Sequence, residues 1–145
     1  MGYRRSVHRR LGVAVLGAAA CGLFTEPEWV VHVGQIAVDE AIPATITVPS
    51  IVTARVEFEI GITTFGSSSC TRPAAMDISV VGLTATVTPL DSGPRPGRDV
   101  ICTSDLRSFP RSGILTFMEP GRGTIQVVGR VGDRDTTITR ALIVQ

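Results

Sequence analysis

Residues 56–63, Val-Glu-Phe-Glu-Ile-Gly-Ile-Thr, alternate along their length. Val56, Phe58, Ile60 and Ile62 share one side of an extended chain, with Glu57, Glu59 and Thr63 on the other. Strict period-2 alternation of this kind places one face in a core and one in water. The rest of the chain is built in the same way, from β-branched runs separated by Gly, Pro, Ser and Asp. Heptads, long 3.6-residue periodicity and internal repeats are all absent from the sequence.

Strands are expected over residues 29–38, with Gly34 interrupting, and over 45–48, stopped by Pro49. Residues 78–87 change apolar phase, from Ile78 and Val80 to Leu83, Ala85 and Val87. Gly82 lies at the change, which predicts a bulge or a turn there. "DSGPRPGRD", residues 91–99, reads as a loop. Leu115 and Phe117 mark a further strand, "EPGRG" a turn, 124–130 a strand, "GDRD" another turn, and 136–144 a closing strand. About seven antiparallel strands without a helix predict an all-β sandwich.

Two segments resemble bacterial exported immunoglobulin-like domains. "TITVPSIVTARVEFEIGITTFG", residues 45–66, is similar to their opening: a strand ending in Val-Pro, a short turn and a long alternating strand. "LTFMEPGRGTIQVVGR", residues 115–130, is similar to their later half. The resemblance implies an immunoglobulin-like β-sandwich with a binding or scaffolding role. The chain departs from antibody domains in two places. The single Trp, Trp29, does not lie between Cys70 and Cys102, and the single Tyr, Tyr3, is too early to form a tyrosine corner.

The first residues have a different character. Arg4, Arg5, Arg9 and Arg10 precede an uncharged apolar stretch over residues 11–24. A basic start, a short apolar run and small residues at its end describe a secretory signal, and the run is shorter than the roughly 20 residues of a spanning helix. Ala18-Ala19-Ala20 stands immediately before Cys21. That bond suits an ordinary signal peptidase. The segment also resembles a bacterial lipobox, although Ala18 stands where that pattern usually has Leu, and a lipobox implies a lipid on Cys21. The expected organisation is a signal over 1–20, a tether over 21–28 and one domain over 29–145, exported to the envelope or secreted.

The cysteines are Cys21, Cys70 and Cys102. If Cys21 carries a lipid, Cys70 and Cys102 remain as a pair in an oxidising compartment. They lie 32 positions apart, both just outside strand-like runs, so a bridge is expected to pin two loops.

Charge excludes one class of partner. Removing residues 1–20 takes away four of the 14 cations and none of the 13 anions, all the cations being Arg. A mildly acidic domain without a basic stripe is a poor nucleic-acid binder. The expected partner is an envelope protein or polysaccharide, together with the membrane through Cys21.

Catalytic and metal readings fare worse. "GSSSC", residues 66–70, is one residue from a G-x-S-x-G elbow, yet an elbow needs a following helix and a His base. Thr71-Arg72-Pro73 points to extended structure, and beyond residue 20 the only imidazole is His32, inside an expected strand. Ser67 to Ser69 then read as a flexible turn. A Cys70 nucleophile would need a lowered pKa, with Arg72 the near cation, but Cys102 is the more economical partner. Blue copper needs two His. Calcium would draw on Asp91, Asp99, Asp105, Asp133 and Asp135, all in expected loops. Arg95, Arg98, Arg107 and Arg111 read as a solvated loop surface, with an anionic partner as the alternative. The residues point to no cofactor and to a non-enzymatic protein, with a small envelope enzyme or a loop-based enzyme inhibitor as the alternative.

Overall fold

The computed structural model of the chain describes residues 29–145. Among these, no residue is helical, and ten strands join in one continuous sheet that curls on itself. The alternating run forms β5 (Phe58–Gly66), whose Ile60 and Ile62 are buried while Glu59 is exposed. Val56 falls outside the strand and is exposed, because the chain turns just before it. Arg55 sits there in the left-handed region at φ 64°, and its N–H donates to the Phe117 carbonyl at 2.7 Å.

On one side β5 pairs along its whole length with β8 (Arg107–Leu115), and on the other with the short β3 (Ile46–Thr47). Across the core lie β6 (Arg72–Val81), β7 (Thr84–Pro94), β9 (Gly121–Val131) and β10 (Arg134–Val144). Two-residue turns join β6 to β7 and β9 to β10. Their first residues, Gly82 and Gly132, both have φ 58°, and the second residues have negative φ. That is the type II′ geometry, in which a glycine opens a turn matched to strand twist. The phase change expected at Gly82 is therefore a turn.

Both walls are joined by the first strand region. β1 (Trp29–Val33) runs antiparallel to the end of β7, and β2 (Gln35–Ala37) runs parallel to the end of β9 while Gln35 pairs with Phe65 of β5. Gly34 is the pivot. Its N–H donates to the Pro89 carbonyl at 2.8 Å and its carbonyl accepts from Arg130 N–H at 3.0 Å. β4 (Ile51–Val52) lies parallel to the end of β10. The expected strictly antiparallel arrangement is thus replaced by a mixed one, with parallel pairs β2–β9, β4–β10 and β7–β9.

Ile36, Ile60, Ile62, Val87, Phe117, Ile125 and Val127 form the centre of the core. Phe117, expected in a strand, lies just beyond β8, yet it is fully buried and stacks on Phe58 at 5.7 Å between centroids. β6 pairs only with β7, and β8 only with β5, so their free edges meet in a seam. Side-chain packing closes the seam: a methyl group built on Gly113 of β8 would lie 2.7 Å from Met76 Cε and 2.8 Å from Ile78 Cδ1 of β6.

Three loop expectations are corrected by this pairing. Asp91, Ser92, Gly93 and Pro94 continue β7, because β1 supplies them with a partner strand. Arg107 and Arg111 belong to β8, and Arg134 and Asp135 to β10. Local turn propensity gives way where a neighbouring strand satisfies the backbone.

Candidate functional site

Cys70 follows β5 and Cys102 lies in the loop between β7 and β8, and the two are joined, with their Cα atoms 5.5 Å apart. The bridge is reinforced by its neighbours. Ser69 N–H donates to the Thr103 carbonyl at 3.0 Å, and Thr103 N–H donates to Ser69 Oγ at 2.9 Å. Thr71 N–H donates to the Ser68 carbonyl at 3.1 Å, and the Ser68 and Thr71 hydroxyls are 3.3 Å apart. The serines of GSSSC are therefore not flexible spacers. Ser69 knits one loop to the other and Ser68 braces its own turn, and the sequence concealed the first because Thr103 is 34 positions from Ser69.

The pinned loop carries apolar side chains into solvent. Ile101, next to Cys102, is 97% exposed, with Val100 and Leu106 also exposed. Arg107 and Asp105 pair at 3.0 Å beside them, and Arg98 and Asp99 are exposed at the loop's start. A β-branched aliphatic side chain displayed on backbone held at the adjacent residue loses little freedom on docking. Sequence reasoning passed over Ile101. Its one signal was an apolar pair, Val100-Ile101, inside an otherwise polar loop.

The remaining candidates disperse. Asp91, from the calcium set, is buried in β7 and forms an ion pair with Arg111, from the arginine set, which is buried in β8. Arg111 Nη1 also donates to the Leu90 carbonyl at 2.6 Å and to the Ala74 carbonyl at 3.4 Å, and Ala74 stands at the register shift in β6. Thr64 Oγ1 and Arg111 Nε are buried without a hydrogen-bond partner among the described residues. Asp105 is engaged by Arg107, Asp133 lies in the β9–β10 turn, and Asp135 in β10. Among the described residues no three His, Cys, Asp or Glu side chains gather as a metal site would require.

His32 lies half-buried in β1, opposite Asp91 in the strand register. Strand β6 begins two residues after Cys70, so no strand-to-helix elbow forms at GSSSC. Trp29 takes the Arg72 guanidinium over its ring at 4.6 Å, tying β1 to β6 across the end of β7. Cys21, the expected lipid site, lies outside the described residues. Comparison of the chain with models of known protein families, with curated proteins and with solved structures finds no match in any of the three.

Proposed function

We propose that the chain is a non-enzymatic binding protein of the bacterial cell envelope, built on an immunoglobulin-like β-sandwich and held at the membrane by a lipid on Cys21. Its contact surface is the loop over residues 95–106, offered to an envelope protein or polysaccharide. The observation that carries this reading is the display of Ile101 beside the Cys70–Cys102 bridge, a rigid apolar anchor with no role in the protein's own core. Interfaces draw most of their energy from a few such anchors set in pockets. Capture from envelope extract by the immobilised, oxidised protein and by its Ile101→Asp variant tests it. A partner retained by the first and lost by the second supports the reading, and identical capture by both contradicts it.

The same loop favours one second reading, an enzyme inhibitor. A bridge-pinned loop that presents one aliphatic residue suits the substrate cleft of an endopeptidase with an apolar primary pocket. Inhibition of pancreatic elastase that disappears on reduction of the bridge and on Ile101→Asp would select this version.

A further inference from the structure

A cleft of ≈ 570 Å³ opens where β2 ends and β9 turns into β10, in a part of the molecule that neither the bridge nor the loop over 95–106 lines. Its floor is apolar, with Ala37 buried and Val131 and Ile138 half-buried. Its rim is charged and exposed, with Asp39, Glu40 and Asp133 set against a single cation, Arg134. Among the described residues, none of these three carboxylates is in an ion pair.

Both walls are held in place before any ligand arrives. Asp39 Oδ1 accepts from the N–H groups of Ala41 and Ile42 at 2.9 and 3.0 Å, and Val38 N–H donates to the Ile42 carbonyl at 3.0 Å. These bonds fold residues 38–42 into a fixed turn. On the opposite side the glycine-led turn between β9 and β10 sets Asp133 and Arg134 at the tip of an 11-residue hairpin register. An apolar, pre-formed concavity of several hundred Å³ with a few polar groups at its mouth has the build of a small-molecule or side-chain site.

The charge of the rim decides what fits. The carboxylates do not gather as metal ligands, so a bare cation would gain little. A ligand with an apolar body and a cationic end would cover the floor and offset the unpaired negative charge at once. We propose that this cleft binds amphipathic cations, aliphatic chains or side chains that end in an ammonium or guanidinium group. The body lies on Val131 and Ile138, and the cationic end meets Glu40 and Asp133.

Calorimetry and amide chemical-shift mapping with n-octylammonium, octanol and octanoate test the proposal, using protein with the Cys70–Cys102 bridge intact. Octylammonium should bind with a Kd of about 1 mM or tighter, modest for nine non-hydrogen atoms. Shifts should be confined to residues 37–44 and 131–138. Octanoate should bind at least about tenfold more weakly, and shortening the ammonium chain should cost roughly fourfold per methylene. The Glu40→Gln, Asp133→Asn variant, altered only at exposed positions, should bring octylammonium down to the affinity of octanol. Equal affinity for octylammonium and octanoate, shifts centred elsewhere, no change in the double variant, or no binding at about 10 mM would each overturn it.

Discussion

Arg111 of β8 reaches across the seam to the carboxylate of Asp91 on β7, and both side chains are buried. The guanidinium bonds two further carbonyls, on β6 and β7, so one side chain ties the two free edges of the curled sheet together. A buried ion pair of this sort fixes arrangement more than it adds stability, since its desolvation cost offsets much of the attraction.

Breaking that pair from one side leaves a buried charge alone. Arg111→Met should lower stability by about 3–5 kcal/mol. Replacing both partners, Asp91→Leu with Arg111→Met, should recover most of the loss, because two apolar groups of similar shape need no compensation. Urea unfolding of the two variants checks the pair, and a double variant as unstable as the single one would refute the assignment.

The pivot glycine makes a sharper packing prediction. A methyl group on Gly34 would stand 3.0 Å from both Asp91 Oδ2 and the Pro89 carbonyl oxygen, and 3.2 Å from Thr64 Cγ2. The carboxylate is held by Arg111 and the carbonyl by the Gly34 N–H, so neither has room to yield. Gly34→Ala should cost about 1–3 kcal/mol. A methyl on Gly93 meets only His32 Cε1 at 3.5 Å, an ordinary contact, so Gly93→Ala should be neutral or stabilising by up to about 1 kcal/mol. Thermal melts of the two variants should shift in different directions or by clearly different amounts.

Core aromatic packing gives a third outcome. Phe117→Ala removes a fully buried ring stacked on Phe58 and should cost about 3–5 kcal/mol. Ile101→Ala, by contrast, removes an exposed side chain and should change stability by less than about 0.5 kcal/mol. Denaturation of both variants shows whether Phe117 serves the fold and Ile101 does not.

Closing 32 positions with a bridge restricts the unfolded chain, which predicts about 3–4 kcal/mol of stabilisation. Reduction should therefore lower Tm by roughly 10–20 °C for a domain of this size. Ser69→Ala, which removes only the hydroxyl that accepts from Thr103, should cost about 0.5–1.5 kcal/mol.

Much of this architecture is legible in the residues, because it rests on local rules. Alternation locates β5 and the buried pair Ile60 and Ile62, the phase change at Gly82 locates a turn, and counting cysteines pairs Cys70 with Cys102. What stays hidden depends on neighbours distant in sequence. Asp91 to Pro94 carry every local mark of a loop, yet β1 makes them strand. Asp91 and Arg111 look like two solvated charges until the seam brings β8 against β6 and lets Arg111 reach Asp91 on β7. Ile78 and Val80 carry an apolar alternation yet lie on a free edge, partly exposed, because alternation identifies faces and says nothing about which strands are outermost. The exposed Ile101 is missed for the converse reason, since a short apolar pair carries no period to read.

The proposed envelope role requires export and a contact loop fixed by the Cys70–Cys102 bridge. Mass spectrometry of non-reduced peptides from protein recovered from the cell envelope tests this most directly. The account predicts a linked peptide pair containing Cys70 and Cys102, on a chain that begins at a lipid-bearing Cys21. Alkylated free thiols at positions 70 and 102 in that material would contradict it.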